Sequence, residues 1–198
     1  MGVYTSNSPM PGYRRVMSFI DGENLVFCYQ SLIKQGEIPK QENYFLEDTY
    51  VWNKETLYLR QMENIRATYY TYAVGSSNMI NDIQNELRNM YFKMDNKSVL
   101  PNRLTPCVFK KDKKTRKTKG VDIKMTVDIL SNVYQDNLDT VFLVAGDGDY
   151  LPLIKEIRRF GKQIYLAFFT TGLNENLLNY VDHYICLDKL YFQNKIPE

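Results

Sequence analysis

The chain has 198 residues, 44% hydrophobic and 24% charged, with a net charge of +2, the balance of one globular domain with a substantial core. No run of about 18 apolar residues is present, which excludes a membrane-spanning helix and leaves no membrane partner to expect. The three cysteines form no CxxC pair and read as reduced, cytoplasmic thiols, and the single His183 leaves no His-rich metal site or Ser/His/Asp triad, so any catalysis has to rest on carboxylates.

Residues 1–12 are polar and turn-rich, lack the apolar core of a signal peptide, and read as a flexible arm. Residues 15–20 predict a buried strand ending in Asp21-Gly22-Glu23-Asn24, where the chain turns into a helix over 24–34. Residues 36–63 carry Tyr44, Phe45, Tyr50, Trp52 and Tyr58 with no clean period, the pattern of an insertion built from short elements. Trp52 and its neighbours suit base stacking, a dimer contact or local packing. Residues 65–74 have the β-branched and aromatic content of a second strand. Ser76 or Ser77 then caps a helix running to about 93, with Met79, Ile80, Ile83, Leu87 and Met90 at helical spacing. A third strand is expected at 105–109.

The segment that follows is a loop or hairpin of unusual charge. Lys110, Lys111, Lys113, Lys114, Arg116, Lys117 and Lys119 stand there against Asp112 alone, so the remainder of the chain is net acidic. Basic runs of this length are candidate polyanion contacts. Gly120 opens a helix over 121–134, and strands at 140–144, 163–168 and 184–187 then alternate with helices at 149–160 and 173–180. Such alternation specifies an α/β fold, a three-layer sandwich with a mostly parallel central sheet. One domain is expected over 13–190, followed by a tail at 191–198.

In sheets of this kind, sites form outside the carboxyl ends of the strands, and there the acidic residues concentrate. Asp21 closes the first strand, Asp147 and Asp149 follow the strand at 140–144, and Asp122 lies in the first turn of the helix after the basic run. Each alone could cap a helix or stabilise a turn. Together at one rim they would place like charges close enough to need a cation, and a hard ion such as Mg²⁺ takes oxygen ligands without histidine. Asn24 suits either the site or a helix cap. Thr126, four residues after Asp122, shares its helix face and offers a hydroxyl behind it, whereas Asp128 points elsewhere. His183 reads as a packed or surface residue. Competing motifs fail on spacing: an EF-hand loop from Asp147 meets Leu151 and Pro152 at its fifth and sixth positions, and a dinucleotide fingerprint after the first strand lacks its glycines. A haloacid-dehalogenase-type phosphatase has Glu23 where a second Asp is needed.

Three segments in register carry a resemblance: Phe19-Ile20-Asp21-Gly22-Glu23-Asn24-Leu25, Lys119-Gly120-Val121-Asp122-Ile123-Lys124-Met125-Thr126-Val127-Asp128, and Phe142-Leu143-Val144-Ala145-Gly146-Asp147-Gly148-Asp149-Tyr150 with Pro152-Leu153. In order and context they resemble the NYN, or LabA-like, branch of the PIN-related nucleases. The resemblance spans about 15–190, leaves 36–63 unmatched, and departs at Ala145 and Gly148, where the family often has Ser. It implies a PIN-like fold and a metal-dependent ribonuclease-like phosphodiesterase acting on single-stranded or flexible RNA, with single-stranded DNA a further possible substrate. Asp21, Asp122, Asp147 and Asp149 would hold Mg²⁺ or Mn²⁺, and Asn24 would position the substrate or a metal-bound water. The alternatives are a catalytically silent nucleic-acid-binding or scaffold protein of the same fold, or a small-molecule phosphatase or nucleotide hydrolase. Oligomeric state stays open, a homo-oligomer included.

The basic run generates a first prediction. If it grips backbone phosphates, replacing Lys113, Lys114, Arg116 and Lys117 together by Ala should weaken RNA binding and flatten the slope of log affinity against log salt by up to about 3, at roughly 0.7 per neutralised phosphate of a single strand. An unchanged slope in filter-binding titrations would reduce the run to a solubilising tip.

Overall fold

The first strand, β1 (Arg14–Asp21), buries Val16, Met17, Phe19 and Ile20 with no polar alternation, as a strand covered on both faces must. Its one interior polar residue, Ser18, accepts a hydrogen bond from Asn64 Nδ2 at 2.7 Å. The computed structural model describes residues 14–58, 62–93, 102–111 and 119–193. After β1 come α1 (Gly22–Lys34), a hairpin of β2 (Tyr44–Leu46) and β3 (Tyr50–Trp52), β4 (Met62–Ala73) and α2 (Ser77–Asn89). A two-residue ladder follows, β5 (Tyr91–Phe92) with β6 (Asn102–Arg103), and then β7 (Thr105–Lys110) and α3 (Lys119–Tyr134). The chain continues through β8 (Thr140–Val144), α4 (Leu151–Arg159), β9 (Gln163–Phe168), β10 (His183–Cys186) and α5 (Asp188–Tyr191).

Six strands form one sheet in the order β10-β9-β8-β1-β4-β7, every neighbouring pair parallel. The chain steps outward from β1 to β4 and β7, then crosses back through α3 to β8 and steps outward the other way. With right-handed crossovers, the two directions place their helices on opposite faces. The core divides accordingly. Leu25, Tyr29 and Leu32 of α1 and Ile80, Ile83 and Leu87 of α2 pack with Val16, Ile20, Phe142 and Val144 on one face. Met125, Ile129 and Val133 of α3 and Leu153, Ile154 and Ile157 of α4 pack with Met17, Phe19, Val141 and Leu143 on the other. The fold is the expected three-layer α/β sandwich, and its strand order reverses between β1 and β8. No helix among the described residues is long and apolar enough to cross a membrane.

Several elements differ from the sequence reading. The second helix stops at Asn89, not near 93, because Met90 turns extended (φ −75°, ψ 138°) and Tyr91 and Phe92 pair with Arg103 and Asn102. The segment expected as a helix over 149–160 enters through a 3₁₀ turn, Gly148–Tyr150, before α4, and Pro152 sits in the first turn of α4, where its missing N–H costs nothing. Over 173–180 the chain forms a 3₁₀ segment, Glu175–Tyr180, not an α-helix. In the insertion, the structure selects local packing among the three readings open for Trp52. Trp52 is fully buried, edge-on to Tyr69 with ring centroids 6.2 Å apart, and its Nε1 donates to the Tyr91 carbonyl at 3.0 Å, so it is core and offers no face to a base.

The turn from β1 into α1 has no room for a side chain. A Cβ on Gly22 would meet the Tyr70 carbonyl oxygen at 2.6 Å and run into the Tyr69 ring, because the end of β1 is zipped to β4 through the pair Asp21 and Tyr70. Gly22→Ala should therefore lower stability by about 1–3 kcal/mol through overpacking, seen as a lower denaturant midpoint; an unchanged midpoint would mean that β1 and β4 can part at no cost.

Candidate functional site: an acidic cleft at the switch point

Alternation along β1 puts Asp21 on the same face as Met17 and Phe19, toward α3 and α4, at the strand's carboxyl end. It is only 4% exposed. Its Oδ1 caps α1 by accepting from the Asn24 N–H at 3.0 Å, and its Oδ2 accepts from the Tyr150 hydroxyl at 2.8 Å. The same hydroxyl lies 3.4 Å from Oδ1 of Asp122, in the first turn of α3. Tyr150 ends the 3₁₀ turn after β8, whose cap is Asp147, with Oδ1 accepting from the Asp149 N–H at 3.0 Å. Residues from three separate turns thus meet on the reversal point of the sheet. Asp21, Glu23, Asn24, Phe27, Asp122 and Asp147 line an open cleft of about 280 Å³.

Asn24 is not the helix cap; Asp21 holds that position. Instead Asn24 Oδ1 accepts from the Gly146 N–H at 3.0 Å and from Cys28 Sγ at 3.9 Å. The Gly146 carbonyl in turn accepts from the Asn174 N–H at 2.8 Å. A Cβ at position 146 would strike the backbone of Gly172. The loop carrying Asp147 is therefore clamped from both sides, and Asn24 acts on it through the backbone.

Burial pushes the Asp21 carboxyl up to about 6; the hydrogen bonds from Asn24 and Tyr150 oppose the shift, and the charges of Asp122 and Glu23 add to it. The Asp122 carboxyl is also raised, first by burial and then by Glu23, Asp147 and Asp149, with Tyr150 opposing. Burial, followed by the field of Asp21 and Asp122, keeps the Tyr150 phenol protonated and hence a donor. The cleft's donors are all oxygens and its charge is negative, which fits a hard divalent cation. Among the described residues no three His, Cys, Asp or Glu side chains are gathered closely enough to hold a metal ion by themselves. The fit is accordingly to an ion that takes one or two carboxylates and keeps its waters, as Mg²⁺ does.

Asp149 is exposed on the 3₁₀ turn, outside the cleft lining but near enough for its charge to act on Asp122. Thr126 is half-buried one turn beyond Asp122. Asp128 faces elsewhere, as its spacing predicts: it accepts from the Tyr70 hydroxyl at 2.9 Å and pairs with Lys124. Lys110 ends β7. Lys111 lies with Nζ 3.7 Å from the Tyr72 ring centroid and 3.8 Å from Glu23 Oε1, which brings the start of the basic run to the edge of the acidic cleft. Lys113, Lys114, Arg116 and Lys117 lie outside the described residues, and Lys119 opens α3. His183 is exposed on β10, at the far edge of the sheet from β7 and three strands from β1. Sequence reasoning gave no role to Tyr150, although it closes the third motif, or to Phe27, whose only signal was its place one helical turn after Glu23.

The NYN domain family model matches residues 15–188, and the chain belongs to this PIN-like family, which includes nucleases. The fold is shared with the crystal structure of VPA0982, a protein of unknown function from Vibrio parahaemolyticus RIMD 2210633, at a TM-score of 0.58 and 17% identity over 93% of this chain and 99% of that one. A stretch of 65 residues is 34% identical to the uncharacterized protein MJ0482 of Methanocaldococcus jannaschii, 33% of this chain and 27% of that protein, so the match spans about a quarter of that relative's length.

The raised Asp21 pKa has a signed consequence for stability. The folded chain holds this proton more tightly than the unfolded chain, so without metal the residue penalises folding above about pH 6, and the penalty fades as pH falls toward 4. A displacement from 3.8 to about 6 is worth at most about 3 kcal/mol. Asp21→Asn, which retains a capping oxygen, should be more stable than the wild type at pH 7 by about 1–3 kcal/mol, with the difference vanishing near pH 4. Denaturant midpoints of the two proteins that differ equally at every pH would contradict this.

Proposed function

We propose that this chain is a divalent-metal-dependent phosphodiesterase that cleaves single-stranded or flexible RNA. The observation that carries the reading is the shared Tyr150 hydroxyl, which gathers Asp21 and Asp122 beside Asp147 at the switch point of the sheet. One or two of Asp21, Asp122 and Asp147 would hold Mg²⁺ or Mn²⁺ directly and the rest through its waters, with Asp149 at the outer edge. A bound cation supplies an activated water and neutralises charge building on the phosphoryl oxygens. Tyr150 would link the Asp21 and Asp122 carboxylates through its hydroxyl. Asn24 fixes the Gly146 backbone and so the aim of Asp147. The strand would lie with its scissile phosphate in the cleft, so that attack on phosphorus occurs in line with the departing 3′ oxygen. Flanking phosphates would run toward Lys110, Lys111 and the rest of the basic run, contacts that position a strand without reading its sequence. The family supports a nucleic-acid substrate, and RNA in particular is part of the proposal; the cleft and the basic run suit any flexible polyanion of this kind.

Incubation of the pure protein with end-labelled single-stranded RNA and DNA in Mn²⁺, Mg²⁺ or EDTA tests the reading. Cleavage of RNA should require the cation, and Asp147→Asn should lower its rate by about 100-fold or more, the scale on which loss of a charge-stabilising group acts. Full activity in EDTA, or in Asp147→Asn, would overturn it, and RNA binding without cleavage would favour the silent binding module.

A further inference from the structure

We infer that Phe27 is a stacking platform for one unpaired nucleobase beside the reacting phosphate; the inference rests on the nucleic-acid reading of the acidic cleft. Phe27 is 71% exposed, more than any other large apolar side chain among the described residues, yet it lines the cleft with Asp21, Glu23, Asn24, Asp122 and Asp147. Its place on α1 explains how. Three residues after Asn24 and four after Glu23, it shares their helix face one turn further on, about 5–6 Å away between Cβ atoms. Side chains of a helix lean toward its N-terminus, and the N-terminus of α1 is the acidic rim. The core does not use the ring, because α1 packs inward through Leu25, Val26, Cys28, Tyr29 and Leu32.

A solitary exposed Phe on a surface helix needs no explanation. One that supplies an apolar face among oxygens gathered to hold charge is different, since a nucleotide presents those same two surfaces, a phosphate and a π-face, next to each other. Stacking on an aromatic side chain tolerates every base and needs a base that has left its neighbours. The substrate class that follows is a strand unpaired at that position; a continuous duplex cannot supply such a base.

The test measures binding and cleavage separately, using oligouridylate of about ten residues and an abasic ribose-phosphate oligomer of equal length and charge. Phe27→Ala should raise the dissociation constant and KM for oligouridylate by about 5- to 100-fold, leave kcat within about twofold, and leave affinity for the abasic oligomer unchanged. Phe27→Tyr should restore the wild-type values. In Phe27→Trp, whose only other tryptophan is the buried Trp52, oligouridylate should quench the new fluorescence and the abasic oligomer should not. This signal needs no turnover: quenching without cleavage upholds the platform and removes the nuclease reading, whereas cleavage insensitive to Phe27→Ala removes the platform and upholds the nuclease. Equal losses for both oligomers, or a change in oligomeric state in place of a change in KM, would also overturn the platform, the latter by making the ring a contact between protein chains.

Discussion

The acidic cleft depends on a single phenolic proton. The Tyr150 hydroxyl donates to Asp21 at 2.8 Å and stands 3.4 Å from Asp122, and in doing so ties together the end of β1, the first turn of α3 and the 3₁₀ turn after β8. A carboxylate as buried as Asp21, with a second one alongside, costs several kcal/mol unless hydrogen bonds compensate. The phenol and the Asn24 N–H supply two charge-assisted bonds, yet burial outweighs them and the Asp21 pKa settles at about 6. The fold therefore holds negative charge where water would not leave it, and a divalent cation at the rim would offset that repulsion directly.

The rest of the architecture serves this placement. The crossover through α3 brings Asp122 back over the gap where the strand order reverses, and the parallel pairing of β8 with β1 presents the loop after β8 beside Asp21. That loop is fixed by the Asn24 amide on one side and the Asn174 N–H on the other, with Gly146 the residue whose missing side chain lets the two segments touch. Cleft and clamp are built from rigid element ends, the usual way an α/β sheet aims reactive groups. The apolar ring of Phe27 at the same rim completes a surface with the two characters of a nucleotide.

Much of this was legible in the sequence because the signals were local. Strands such as Thr140–Val144 are short apolar runs bounded by turn residues, and their spacing against helical segments leaves little choice of fold class. Asp21, Asp122 and Asp147 could be placed at one rim because each immediately follows or opens a predicted element. What escaped was set by tertiary contact. Tyr150 looked like core, and it is buried, but its hydroxyl is the group that organises the site. Asn24 had the spacing of a cap, and the competition was won by Asp21, which lies one residue before the helix and has an oxygen within reach of the Asn24 N–H. For Trp52 the sequence left stacking, a dimer contact and local packing open, and only the contact of β3 with Tyr69 selects local packing. Phe27 had no sequence signal beyond its offset from Glu23, since a helix with an apolar residue on its outer face reads as noise until the neighbouring loops are in place.

The central claim is that the cleft lined by Asp21, Asp122 and Asp147 would take one hydrated divalent cation, held directly by one or two of these carboxylates, at a place where the fold has already raised the energy of negative charge. Calorimetric titration of the metal-free protein with Mn²⁺, repeated in buffers of different ionisation enthalpy, measures this most directly because it counts protons as well as ions. With the Asp21 carboxyl at about 6, binding at pH 6 should release protons, release fewer at pH 7.5, and in Asp21→Asn be weakened with a smaller release. Absence of binding at millimolar Mn²⁺, or the same affinity and proton count in Asp21→Asn, would contradict the account.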